Sequence, residues 1–175
     1  MWSANGGLGE RDAYERYIGR WSRPIAREFL DWLSVPMESR WLDVGCGTGA
    51  LSHSILASAS PVRVVGIDAS KDYVAYASVR VTESFGTFAV GNARSLPAAA
   101  TTFDVVVSGL MLNFLPEPER AVREMVRVIR LGGTVAVYVW DYAAGMQLTR
   151  HFWGSITTPV SSTEGPASGC ASQVH

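Results

Sequence analysis

Between Trp41 and Ser52 the chain reads WLDVGCGTGALS. Three glycines, Gly45, Gly47 and Gly49, stand at alternate positions, and an acid, Asp43, precedes the first of them by two residues. Glycines in a turn between a strand and a helix let a ligand approach bare backbone. Gly45 suits the turn itself, Gly47 leaves room where the ligand lies, and Gly49 eases close packing as the helix starts. The same spacing also serves a tight structural turn. A second acid, Asp68, follows Gly49 by 19 residues, at the end of VRVVGID. In parallel folds an acid at that place meets a ribose, whose two hydroxyls suit a carboxylate acceptor; an exposed acid at a strand end can also be incidental. Asp43 separates ligand classes. A dinucleotide sets a pyrophosphate over such glycines, and a neighbouring carboxylate repels that charge. S-adenosylmethionine has no phosphate, and its sulfonium and ammonium are cations that a carboxylate favours. The alternative for Asp43 is a carboxylate that caps a helix or braces the turn.

These residues need strands and helices that bring them to one end of a sheet. Asp12 to Leu33 predicts two helical pieces, with Tyr14, Tyr17 and Ile18 on one face and Ile25, Phe29, Leu30 and Leu33 as a second apolar stripe; Pro36 ends the region. Arg40 to Val44 is a short apolar strand entering the glycines, and Gly49 to Ala59 follows as a helix with Leu51, Ile55 and Leu56 inward. Val62 to Asp68 is strand-like, Lys71 to Thr82 is a helix capped by Ser70, and Thr87 to Val90 is a brief strand. After a loop at Pro97 to Thr102, Phe103 to Ser108 is a valine-rich strand. Pro116 to Ile129 is a helix with Ala121, Val122, Met125, Val126 and Ile129 inward, stopped by Gly132 and Gly133, and Thr134 to Val139 is a fifth strand. Strands alternating with helices predict an α/β sandwich: a parallel five-stranded sheet with helices on both faces.

The composition fits one such domain. The 175 residues are 47% hydrophobic and 18% charged, with 15 basic and 16 acidic side chains, so the chain is globular and no strong field favours nucleic acid or an anionic membrane. The N-terminal MWSANGGLGERD lacks the features of a secretory signal, and no apolar run approaches the ~20 residues of a membrane span. Cys46 and Cys170 form no CxxC pair and suggest no metal site; they fit reduced thiols in a cytoplasmic protein.

Taken together, WLDVGCGTGALS, VVGIDAS (Val64 to Ser70) and VGNARSLPAAATTFDVVVSGLMLNFLPEPERAVREMVRVIRLGGTVAV (Val90 to Val137) resemble the motifs of class I S-adenosylmethionine-dependent methyltransferases. Within them the chain is similar to the small-molecule methyltransferases of the type 11 or ubiquinone-biosynthesis-like group. The resemblance spans Tyr14 to Trp140 and implies the family's Rossmann-like fold with S-adenosylmethionine as cofactor. It implies that Gly45, Cys46, Gly47 and Gly49 line the methionine and ribose parts, and that Asp43 reaches the amino group through water. Asp68 would hold the ribose hydroxyls, with Ala69 and Ser70 against the adenine. Asn92 and Ala93 match the position that reads the adenine amino group, where the family commonly has Asp before Ala; weaker binding is expected from Asn. Ser108 and Gly109 would pass beside the methionine end. YERYIGRWSRP resembles the helical cover of relatives, which makes Tyr17, Trp21 and Arg23 candidates for closing the site or, equally, members of a helix packed on the sheet.

Methyl transfer from a sulfonium to a small-molecule acceptor is an in-line displacement, in which proximity and orientation carry much of the rate and a general base is optional. SGLMLNF, after the fourth strand, lacks the Asn/Asp-Pro-Pro-aromatic sequence of amino-group methylation and the Pro-Cys of a cytosine C5 enzyme. Cys46 is read as packing, His53 as a surface or structural histidine, and Asp141, Tyr142 and His151 have no spacing that implies a base, so the catalytic residue is left unknown.

Three segments are expected: a helical cover over 1–35, the cofactor-binding domain over 36–153, and a disordered Ser/Thr/Gly/Pro-rich tail over 154–175. Relatives continue after the fifth strand with a helix and two more strands, for which the 35 residues after Trp140 leave little room. The expectation is a fold lacking that piece, with strand 134–139 as an apolar edge open to a homodimer. Two rival readings remain: a truncated, catalytically inactive module that binds cofactor or a partner, and a nucleotide-dependent oxidoreductase.

Overall fold

The structure, a computed structural model, describes residues 20–141. Helix α1 (Arg20–Leu33) carries an apolar stripe in which Ala26, Phe29, Leu30 and Leu33 are buried. Strand β1 (Arg40–Val44) follows and is buried along all but its first residue. The glycine loop leads into α2 (Ala50–Ser58), and β2 (Arg63–Asp68) leads into α3 (Lys71–Arg80). The Ser70 side chain caps α3 as expected, accepting the Tyr73 N–H at 3.4 Å. Then come β3 (Gly86–Val90), β4 (Phe103–Gly109), a 3-10 turn at Leu112–Phe114, α4 (Pro118–Val128) and β5 (Ile129–Tyr138).

The five strands are all parallel and lie in the order β3-β2-β1-β4-β5. Strand pleating sends alternate side chains to opposite faces. Trp41, Val64, Val105, Val107 and Ala136 pack with α1 and α2 on one face; Leu42, Val44, Ile67, Val106 and Val135 pack with Met125 and Val128 of α4 on the other. A sheet covered on both sides explains why its strands are valine-rich runs rather than alternating patterns. The fold is therefore the Rossmann-like α/β sandwich expected from the sequence.

Two details differ from the sequence reading. Val126 was placed inward but is 45% exposed, because the stripe of α4 runs Ala121, Met125, Val128, at helical spacing, and Val126 lies a hundred degrees round from Met125. The fifth strand also starts earlier than Thr134. Ile129 already pairs with Phe103, and the ladder then jumps to Thr134 opposite Val105. The intervening bulge holds Gly132 at φ +75° and the fully exposed Leu131. The glycine pair marks a bulge within β5 rather than a loop before it. Gly133 is needed there by close approach, since a Cβ would sit 2.8 Å from the Asp104 carbonyl oxygen.

The opposite, N-terminal end of the sheet is pinned by Asp104. Its carboxylate accepts from the Arg40 backbone N–H at 2.6 Å and from Arg40 Nε at 3.1 Å, and it also pairs with Arg130. These contacts join β1, β4 and β5, and the guanidinium of Arg40 holds the Asp104 carboxyl below its ordinary value.

Candidate functional site

The strand order reverses between β1 and β4, and α/β sheets bind ligands beyond the carboxyl ends of their strands at such a point. Asp43 and the glycine loop leave β1 at that end, Asp68 ends β2, and Ser108 and Gly109 end β4.

The loop is built around Ile67. Its carbonyl oxygen accepts both the Gly45 N–H at 2.7 Å and the Cys46 N–H at 3.1 Å, which turns the chain sharply across β2. Gly45, Gly47 and Gly49 all have positive φ, at 74°, 53° and 83°. The three differ in what surrounds them. A Cβ on Gly45 would lie 2.4 Å from Met111 Cγ, and one on Gly49 would lie 3.2 Å from the Ala77 Cβ of α3. A Cβ on Gly47 would meet nothing within 4 Å. Packing therefore requires glycine at the first position and tightens the third, whereas Gly47 presents bare backbone to open space.

Asp68 is clasped by the same loop. Its Oδ2 accepts the Gly47 N–H at 2.9 Å and its Oδ1 accepts the Ser70 N–H at 2.8 Å. Each oxygen keeps a lone pair for a further donor. The carboxylate is thus fixed in place, half-buried, beside the open face of Gly47.

Asp43 is in a different situation. It is 1% exposed, accepts the Ser52 hydroxyl on Oδ2 at 2.7 Å, and has no partner for Oδ1. Burial raises its pKa from 3.8 to about 7, hydrogen bonding by the Ser52 hydroxyl and backbone N–H opposes that shift, and the charge on Asp68 adds to it. A buried carboxylate with one unmatched oxygen is costly. An ammonium or a bridging water is what that oxygen requires. The bracing role weighed for Asp43 is real, through Ser52, but it uses only half of the carboxylate. Ser52 itself was not picked out from the sequence; its signal, a hydroxyl nine residues after an acid on the following helix, is legible only once the turn is known.

The other predicted residues occupy the same end of the sheet with different prospects. Cys46 is buried, packs beside Gly66, and burial pushes its thiol up, as suits a packing residue. Ala69 is exposed and Ser70 half-buried after Asp68. Asn92 is exposed, and its side-chain oxygen accepts the Arg94 N–H at 2.9 Å, leaving one lone pair for another donor; Ala93 is half-buried against the core. Ser108 is 1% exposed and its hydroxyl is unmatched. A Cβ on Gly109 would lie 2.4 Å from the Tyr138 hydroxyl, so that glycine serves packing against β5.

Two further devices hold the segments around the site. Glu124 and Arg127 of α4 grip the loop after Ala93: Glu124 accepts the Leu96 N–H at 2.8 Å, and Arg127 donates to the carbonyls of Leu96 and Ala98. Asn113 pairs with the backbone of Trp140 in both directions, tying the segment after β4 to the end of β5.

His53 is exposed on α2, as read from the sequence, and Arg23 is exposed on α1. Both border a cavity of about 320 Å³ that also meets Tyr76 and Arg80. Of the predicted site residues it touches Gly49 and Arg23, and it does not reach Asp43, Gly47 or Asp68. Trp21 lies within α1; Tyr17, Tyr142 and His151 lie outside the described residues. No group of metal-ligating side chains occurs among the described residues.

This donor set fits S-adenosylmethionine. The orphaned Asp43 oxygen suits a cation, the face of Gly47 admits a ligand, and Asp68 retains acceptor capacity for hydroxyls. A family model described as a methyltransferase domain matches residues 42–137. The chain is 30% identical over 135 residues to 2-methyl-6-phytyl-1,4-hydroquinone methyltransferase 2 of rice, covering 77% of this chain and 38% of that protein. It is 35% identical over 109 residues to demethylmenaquinone methyltransferase of Bacillus licheniformis, covering 61% and 47%. The chain thus spans less than half the length of these two relatives. Its fold matches a methyltransferase solved in complex with the Haloferax volcanii Trm112 methyltransferase activator, with a TM-score of 0.68 at 21% identity over 82% of this chain and 63% of that one. By its motifs, its fold and the family match, the chain belongs to the class I S-adenosylmethionine-dependent methyltransferases, type 11 group.

Proposed function

We propose that the chain catalyses methyl transfer to a small-molecule acceptor. The observation that carries this reading is a buried, half-satisfied Asp43 at the end of β1 together with an Asp68 clasped by the backbone N–H groups of Ser70 and of the bare Gly47. S-adenosylmethionine supplies both the methyl group and a good leaving group when bound. The protein's task is then positioning. Asp68 holds hydroxyls, Asp43 keeps one buried, unpaired oxygen for a cation or a bridging water, and the segments carrying Asn92, Ala93, Ser108 and Gly109 border the rest of the ligand. No side chain is assigned as a base. An acceptor that is already nucleophilic needs orientation and exclusion of water more than proton abstraction. The two relatives named above act, by their names, on a hydroquinone and a demethylated menaquinone, which supports an aromatic or quinone-like acceptor.

The same reading includes self-association. Among the described residues β5 pairs with β4 on one side only, so its other edge is where a second copy would add. A monodisperse monomer in light scattering contradicts that part alone. Turnover is tested by incubating the chain with S-adenosylmethionine and a pool of small aromatic acceptors and measuring S-adenosylhomocysteine. Production that depends on the pool supports the reading. Binding of S-adenosylhomocysteine without turnover on any acceptor favours the inactive binding module instead.

A further inference from the structure

Ser52 is fully buried in the first turns of α2, and its hydroxyl donates to Asp43 Oδ2 at 2.7 Å. A carboxylate deprived of water is held in its charged form by donors and opposite charges and is driven to the neutral form by like charges. Around Asp43 the groups that bear on its charge are few. Ser52 on α2 is the donor, Asp68 on β2 is a like charge, and Cys46 in the loop is a buried thiol whose own ionisation Asp43 opposes. No cationic side chain is among the groups that shift Asp43. The balance therefore leans on Ser52 alone, through its hydroxyl first and its backbone N–H second.

We propose that Ser52 is a positioning residue for the cofactor: by occupying Oδ2 it leaves the buried Oδ1 as the unpaired acceptor of Asp43 and keeps that carboxylate charged for a ligand ammonium. This rests on the cofactor site described above. Burial already lifts Asp43 toward neutrality, so the hydroxyl acts where small changes in proton affinity alter the charged fraction at ordinary pH.

The test is the affinity for S-adenosylhomocysteine, which carries the ammonium, measured by calorimetry from pH 5.5 to 8.5 on the full chain and on Ser52→Ala and Ser52→Thr. Wild-type affinity is expected to rise with pH through the neutral range and then level off. Ser52→Ala is expected to give the same curve displaced upward by about one pH unit, which is about tenfold weaker binding on the rising limb. Ser52→Thr retains the hydroxyl and is expected to restore the wild-type profile. If Ser52→Ala does not fold, Ser52→Cys, close in volume and a weak donor, is expected to shift the curve in the same direction. An unshifted profile in the donor-poor variant, or an equal loss at every pH, overturns the role of Ser52 while leaving the cofactor site standing. No binding by folded wild-type chain at any pH overturns the cofactor reading itself and the proposal with it.

Discussion

Asp43→Asn in the ligand-free protein isolates the cost of keeping a carboxylate in the wall of the site. The folded-state pKa is pushed from 3.8 up to about 7, chiefly by burial. Between those values the folded chain holds a proton that the unfolded chain has released. Stability from this group is therefore fully present below about pH 4 and is lost as pH rises through about 7. The interval corresponds to about 4 kcal/mol, an upper bound on what ionised Asp43 withdraws at pH 8. Asparagine cannot ionise and has nearly the same shape, and Ser52 can donate to its carbonyl. Relative to wild type the variant should gain from pH 5 to pH 8 by up to ~3 kcal/mol, the part of the interval that lies above pH 5, or by about 6–12 °C in Tm for a chain of this size. Urea denaturation of both proteins at pH 5 and pH 8, without ligand, measures the difference of differences, in which the other titrating groups cancel. S-adenosylhomocysteine binding should be lost in the same variant. An Asn variant whose deficit or gain is the same at both pH values refutes the reasoning, because the buried charge would then not be the source.

Other outcomes follow from the same geometry. Gly47→Ala should cost only about 1–2 kcal/mol of stability, from its left-handed φ of 53°, because its Cβ meets no protein atom; cofactor affinity should fall by a larger factor, and chemical denaturation beside calorimetry separates the two. Asp104→Asn should destabilise the domain by about 1–2 kcal/mol at neutral pH, its arginine partners being half exposed. Since the folded Asp104 pKa lies below its ordinary value, that contribution is present above about pH 4 and lost as pH falls through the folded pKa, so wild type and variant should converge in acid denaturation.

The parts of this molecule legible in the sequence are those in which local chemistry and global fold demand the same residue. The glycines at 45, 47 and 49, the strand-ending Asp68 and the Ser70 cap are of this kind: turn, strand end and helix start are all local. Long-range partners were not legible. Ser52 meets Asp43 across a loop, Asp104 gathers arginines from two strands, and Arg127 reaches the carbonyls of a loop 29 and 31 residues away. No periodicity encodes such meetings. The start of β5 was misplaced because a glycine pair signals both a helix stop and a bulge, and only the pairing of Ile129 with Phe103 decides between them. Valines on neighbouring faces of α4 are indistinguishable by type, so the sequence does not tell that the sheet buries Val128 and leaves Val126 exposed.

The central claim is that Asp43, Gly47 and Asp68 form a cofactor site. Calorimetric titration of the chain with S-adenosylhomocysteine, beside Asp68→Ala confirmed as folded by circular dichroism, tests it most directly. A dissociation constant of about 1–100 μM, corresponding to about −8 to −5.5 kcal/mol, is expected for the wild type and no measurable heat for the variant. Equal affinity in the two proteins, or no binding by folded wild-type chain, would contradict it.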